Sequence, residues 1–193
     1  MKRPILAYGH QILKQQCRVI KKNHSGLDIL VSDMWETMRN ANGSGLAAPQ
    51  IGFPLSLFIV DSKSTYEHLD QVDKPFYFEK EDHGIKETFI NATIIDRSLD
   101  EWDEEEGCLS IPGLYSKVKR SWTITIEYYD LNFKKNTRTF SGLTARIIQH
   151  EYDHIQGILY LDHLSPFIKK LMAVKLQKIL KGKIDLNYPM VFI

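Results

Sequence analysis

Gln149-His150-Glu151-Tyr152-Asp153-His154 is the stretch from which the rest of the chain can be read. Its two imidazoles stand four residues apart, and on a helix of about 3.6 residues per turn that spacing stacks them on one face, within reach of a single ion. Glu151 projects near the same face. The apolar Ile147, Ile148 and Ile155 lie close by, which predicts a largely buried helix with a metal at the edge of its apolar side. A bare His-x-x-x-His pair reads more readily as two hydrogen-bonded core histidines. The intervening Glu turns the reading to metal, because H-E-x-x-H couples two ligands to a general base.

Two histidines do not complete a site. The longer H-E-x-x-H-x-x-G-x-x-H pattern is not met, since Tyr160 stands where its last histidine would be and His163 has the wrong spacing. Upstream, Glu106-Gly107-Cys108-Leu109-Ser110 offers a thiolate in a Gly-flanked segment, and Cys108 is the candidate third ligand. Glu106, just after an acidic run, can pair with a basic residue such as Arg120 and hold that segment in place.

The chain has 193 residues, 43% hydrophobic and 25% charged, which suits one soluble domain over 1–193 with a full core. Its net charge of +1 supplies no global field for nucleic acid, so specific DNA binding is not expected. No apolar run of about 18 residues predicts a membrane span, and the start lacks the apolar core of a signal peptide, so a cytoplasmic location is expected. Cys17 and Cys108 are too few for a disulfide framework.

Along the chain, residues 1–24 read as an irregular arm with His10 and His24 exposed. Ser25 is placed to cap a helix carrying Leu27, Leu30, Val31, Met34 and Met38 at helical spacing, ended by Asn42-Gly43. The small-residue loop Gly43 to Gly52 matches neither a P-loop nor a G-x-G-x-x-G turn. A strand follows at 55–61, then a polar, aromatic-spotted insertion at 62–86 read as a surface loop or hairpin, then a strand at 89–95. Asp100 to Glu106 places six carboxylates in seven positions and reads as a solvated face, a calcium site being the alternative. Residues 122–130 alternate apolar and polar, 134–140 return as a polar partner, and Ser141 is placed to cap the histidine helix. Strands that precede and feed a helix predict an α+β fold with a strongly bent antiparallel sheet around it. A last helix spans about 165–181, with an apolar arc of Ile168, Leu171, Met172, Leu176, Ile179 and Leu180 and a series of lysines. The lysines read as a solvated face, with an anionic partner such as ribosomal RNA as the alternative.

Three segments, G-x-G-L-A-A-x-Q at Gly43 to Gln50, E-G-C-L-S at Glu106 to Ser110 and Q-H-E-x-D-H at Gln149 to His154, together resemble the signature motifs of the peptide deformylase family. The resemblance implies metal-dependent removal of the formyl group from formyl-methionine at the start of nascent polypeptides, with release of formate. It implies Cys108, His150 and His154 as ligands of one divalent ion, most commonly Fe2+, with Zn2+, Ni2+ or Co2+ as substitutes. Glu151 would be the acid/base, and the Leu109 N–H and Gln50 amide the oxyanion donors. Gly45 and Gly107 would let a peptide backbone approach as an added strand. The helix positions of Leu143 and Ile147 make them candidates for a methionine pocket, with ordinary core packing as the alternative. The rival readings are an H-E-x-x-H peptidase and a non-catalytic module with a structural metal.

Overall fold

Beginning with the expected N-terminal helix, the computed structural model describes residues 1–193 and places α1 at Leu27–Asn40. Leu27, Leu30, Val31, Met34 and Met38 form its buried stripe, as the spacing predicts. The helix begins differently, because Gly26 occupies the N-cap in the left-handed region (φ 75°) and no side chain caps it. The arm before it is less irregular than expected. Ile5–Leu6 forms β1, a 3-10 turn spans Gln11–Lys14, and Ile5, Ala7, Leu13 and Ile20 are buried. His10 is half-buried, its Nε2 lying 3.1 Å from the Val191 carbonyl.

After α1 come β2 (Gly45–Ala47), a 3-10 turn at Ala48–Ile51 and β3 (Leu57–Asp61). The 62–86 insertion is neither loop nor hairpin but contains two short helices, α2 (Ser62–His68) and α3 (Lys74–Tyr77). Asp61 explains the first of them, since its side chain accepts from the Ser64 N–H at 3.0 Å. Tyr66 then packs edge-on against Phe78 at 5.2 Å. β4 (Lys86–Arg97) follows, then β5 (Glu101–Cys108), β6 (Ile111–Ser121), β7 (Thr123–Tyr129) and β8 (Lys135–Ser141).

The acidic run is thus an alternating strand. Glu101, Asp103 and Glu105 face solvent while Glu106 is buried. Strands β2-β3-β4-β7-β8 form one antiparallel sheet, and β5-β6 form a separate ribbon. β4 bends at two register slips. Between sheet and ribbon lies α4 (Gly142–Ile155), which packs against β2, β3, β6 and β8. Ser141 is its N-cap residue, but its hydroxyl pairs with Thr123 Oγ1 at 2.9 Å and caps nothing.

The last helix, α5, spans Pro166–Leu180, with the Ser165 hydroxyl accepting from Ile168 N–H at 3.4 Å. Its packed side is Ile168, Met172, Leu176 and Ile179. Leu171, placed in the apolar arc by its spacing, is 65% exposed and lies with Phe167 and Val174 on a solvent-facing stripe. Beyond it, Met190–Val191 forms β9, which pairs with β1, the only parallel pairing between strands. No helix is long and apolar enough to cross a membrane.

The first slip in β4 falls at Asn91, which has φ 52° and uses its amide to accept from Ile20 N–H and donate to Ile20 C=O, both at 2.8 Å. This pins the N-terminal arm to the sheet. Asn91→Ala should therefore lose about 2–4 kcal/mol in urea unfolding, from two hydrogen bonds and a left-handed alanine. Asn91→Gly should be about 1 kcal/mol milder, because only the hydrogen bonds are lost.

Candidate metal centre

Helix α4 is buried on most of its surface, yet Arg146, Gln149, His150, Glu151, Asp153 and His154 are among its buried residues. Buried polar groups persist when they are paired, so each partner identifies what the helix is for. Glu106 is the hub. Its Oε1 accepts from Arg120 Nε at 2.6 Å and Arg146 Nη1 at 2.6 Å. Its Oε2 accepts from Arg120 Nη2 at 2.9 Å and His150 Nδ1 at 3.0 Å. Arg120 also donates to Asp153 Oδ2 at 2.8 Å, which His163 Nε2 reaches at 2.7 Å. Two guanidiniums thus face two carboxylates in this buried network.

Because Nδ1 of His150 is turned to Glu106, its Nε2 is left to face the cleft. Cys108 ends β5 where the ribbon register slips before the turn to β6, and the slip aims its sulfur at the helix. Cys108 Sγ lies 3.2 Å from His154 Nε2, and ligand atoms of Cys108, His150 and His154 lie within 4.8 Å of one another. Burial pushes the Cys108 thiol up, but His154 and His150 together outweigh it and bring it down to about 5. The sulfur is therefore a thiolate at neutral pH, the form that binds metal. One soft and two borderline donors of this kind fit a divalent transition ion, with His154 Nδ1 making no hydrogen bond of its own.

Glu151 stands beside this triad. Burial lifts its carboxyl to about 7 against the opposing pull of His150 and His154, and its Oε2 is buried with no partner. Gly45 explains how the carboxylate reaches this position, because a Cβ there would lie 2.5 Å from Glu151 Oε1. At Gly107 a Cβ would meet the Tyr115 ring at 2.5 Å. Both glycines line the cleft, and in each case the vacated space holds a side chain. Gln50 is buried, its Oε1 accepting from Ala47 N–H at 2.8 Å, which turns its Nε2 toward Cys108 Sγ at 3.5 Å and Ser110 Oγ at 3.3 Å.

A cleft of about 600 Å³ joins these parts and is lined also by Leu143 and Ile147, one turn apart on α4. Leu109 lies in the turn after β5, and its N–H makes no hydrogen bond within the chain. All ten residues proposed from sequence thus border or adjoin one cleft. Sequence reasoning missed Arg146, Tyr115 and the tail residues Leu186, Asn187 and Tyr188. Arg146 carried a signal, being a cation one turn before His150 on a helix read as buried. The tail residues carried none.

An H-E-x-x-H helix, a strand-end thiolate and a flanking carboxylate opening on a peptide-sized cleft define a metal-dependent hydrolase. A sequence model of the family described as polypeptide deformylase matches residues 2–170. Peptide deformylase of Christiangramia forsetii is 47% identical over 191 residues, covering 98% of this chain and 95% of that protein. The Flavobacterium psychrophilum peptide deformylase is 46% identical, covering 97% and 95%. Among solved structures, the peptide deformylase of Ehrlichia chaffeensis superposes with a TM-score of 0.81 at 28% identity, covering 95% of this chain and 99% of that one. The Legionella pneumophila enzyme gives 0.77 at 33% identity, covering 95% and 98%. The chain belongs to the peptide deformylase family, and its reaction is the family's metal-dependent removal of the N-formyl group.

The charge hub sets an acid limit on stability. The Arg120 guanidinium and the His150 hydrogen bond outweigh burial and hold the Glu106 carboxyl well below its ordinary 4.5. The unfolded chain then binds more protons than the folded one, so the stabilisation is complete above about pH 4.5 and is lost as pH falls toward the folded value. Glu106→Gln should flatten that acid loss in urea titrations of metal-free protein. At pH 7 it should cost about 3–5 kcal/mol, because buried Arg146 loses its only carboxylate partner and Arg120 one of its two.

Proposed function

We propose that Cys108, His150 and His154 hold one divalent ion, with Fe2+ as the resident metal and Zn2+, Ni2+ or Co2+ as substitutes. The iron preference follows the family resemblance, since a thiolate and two imidazoles suit zinc equally. A bound ion supplies a Lewis acid and lowers the pKa of water in the open coordination position. The supporting observation is the close grouping of the three ligand atoms beside the unpartnered Glu151 carboxylate.

In this reading Glu151 accepts the water proton as attack on the formyl carbon begins and delivers it to the departing amine. Its elevated pKa suits both transfers. Negative charge developing on the formyl oxygen meets the free Leu109 N–H and the Gln50 Nε2, donors already fixed before reaction. The formyl-methionyl peptide lies along the edge of β2 beside Gly45 and Gly107, its methionine side chain against Leu143 and Ile147. One catalytic domain over 1–193 acts in the cytoplasm on nascent chains. The exposed lysines of α5 beside Phe167, Leu171 and Val174 are the surface for ribosome contact.

Formate release from a formyl-methionyl peptide by the anaerobically prepared ferrous protein tests the assignment. Cys108→Ala should lose bound metal and activity together. Glu151→Ala should keep its metal and lose at least about 100-fold in turnover, because it removes a proton carrier and not a ligand. Metal loss in that variant would make Glu151 a ligand instead. Ile147→Asp should raise KM for the methionyl substrate about tenfold or more, a pocket methionine being worth about 1.5–3 kcal/mol. Unchanged kinetics would remove Ile147 from the pocket. For α5, co-sedimentation with ribosomes should weaken when Lys170, Lys175 and Lys178 are neutralised, and unchanged binding would end that proposal.

A further inference from the structure

The tail after α5 lies beyond the residues 2–170 matched by the family model, yet it forms part of the reaction cleft. Leu186, Asn187 and Tyr188 border the same cavity as Cys108, Leu109 and Glu151. The tail is anchored on both sides of these residues. Ahead of them, Gly182 packs against the Phe192 ring, where a Cβ would lie 3.2 Å away. After them, Ile5 N–H donates to Pro189 C=O and Ala7 N–H to Val191 C=O, each at 2.9 Å. Met190 packs against two of the hydrophobic clusters.

From this anchored segment the half-buried Tyr188 reaches the metal-bearing turn. Its hydroxyl donates to the Leu109 carbonyl at 2.8 Å. The neighbouring Ser110 carbonyl is held in the same way by Tyr8 N–H at 2.8 Å, from the arm that pairs with the tail. On the opposite side the Leu109 side chain fits against Gly43, where a Cβ would lie 2.7 Å from Leu109 Cδ1. Three separate parts of the chain therefore fix one turn. Its Leu109 N–H is left without a partner. A donor that must meet charge only as it develops is useful in proportion to how little it has to move.

We propose that Tyr188 is a positioning residue for deformylation, its hydroxyl fixing the Cys108-Leu109-Ser110 turn so that the Leu109 N–H is held ready for the oxyanion. The inference rests on Leu109 being that donor. Tyr188 touches neither metal nor reacting atoms in this role, and its ring packs the same whether or not the hydroxyl is present. Removing the hydroxyl should weaken interactions made in the transition state and leave ground-state binding alone.

The test compares the metal-loaded parent with Tyr188→Phe in formate release from a formyl-methionyl tripeptide, at matched metal content. We expect kcat to fall about five- to tenfold, the worth of one such hydrogen bond, with KM changed less than twofold. Replacing Tyr188 by 4-aminophenylalanine, which restores an N–H donor at the same place, should recover most of kcat. A kcat within twofold of the parent would overturn the proposal. So would a rise in KM at constant kcat, which would make Tyr188 a wall of the substrate site only. A Tyr188→Phe chain that fails to fold or to bind metal would also overturn it, by revealing a purely structural part. A parent that releases no formate would instead refute the deformylase assignment of the site, a distinguishable result.

Discussion

A single buried carboxylate organises this protein. Glu106 comes from the ribbon, His150 and Arg146 from the helix and Arg120 from the return strand, and the four meet with all of the carboxylate's stronger acceptor directions used. Burying two guanidiniums costs more than ordinary packing returns, so the arrangement is favourable only when the geometry is complete. That condition couples the ribbon to the helix. Neither can shift without stranding a charge, and the same coupling sets which nitrogen His150 presents to the cleft.

Around that hub the fold separates two tasks. Strands β3, β4, β7 and β8 and helix α1 supply apolar area through Phe58, Phe89, Ile126 and Met34 and line no part of the cleft. The β5-β6 ribbon and β2 contribute less core and more chemistry, a thiolate at a register slip and two glycines that make room for Glu151 and Tyr115. Stability and reactivity are thus carried by different strands.

Much of the site was legible because its chemistry depends on residue type at fixed spacing. Two imidazoles one helical turn apart, a carboxylate between them and a thiolate in a Gly-flanked segment identify themselves without coordinates, and the Glu106-Arg120 pairing followed from an acid that needed a partner. The helix periods of α1 and α4 and the alternation of β7 were equally plain. What escaped depended on tertiary position. α2 formed because Asp61 turned out to be a cap, and Leu171 faced solvent because α5 packs over a narrower arc than its hydropathy suggests. The docking of the tail, with Tyr188 at the cleft, is a contact between residues 79 positions apart that no local pattern encodes.

The parallel pairing of β1 with β9 also bears on the order in which the enzyme is made. A ribosome completes the first strand long before its neighbour exists, so Ile5 and Leu6 wait unpaired through the synthesis of nearly the whole chain. Closure of that longest-range contact brings the final cleft wall into place, and it is among the slowest kinds of contact to form. A molecule that matures other nascent chains therefore assembles its own cleft only after its last strand has emerged.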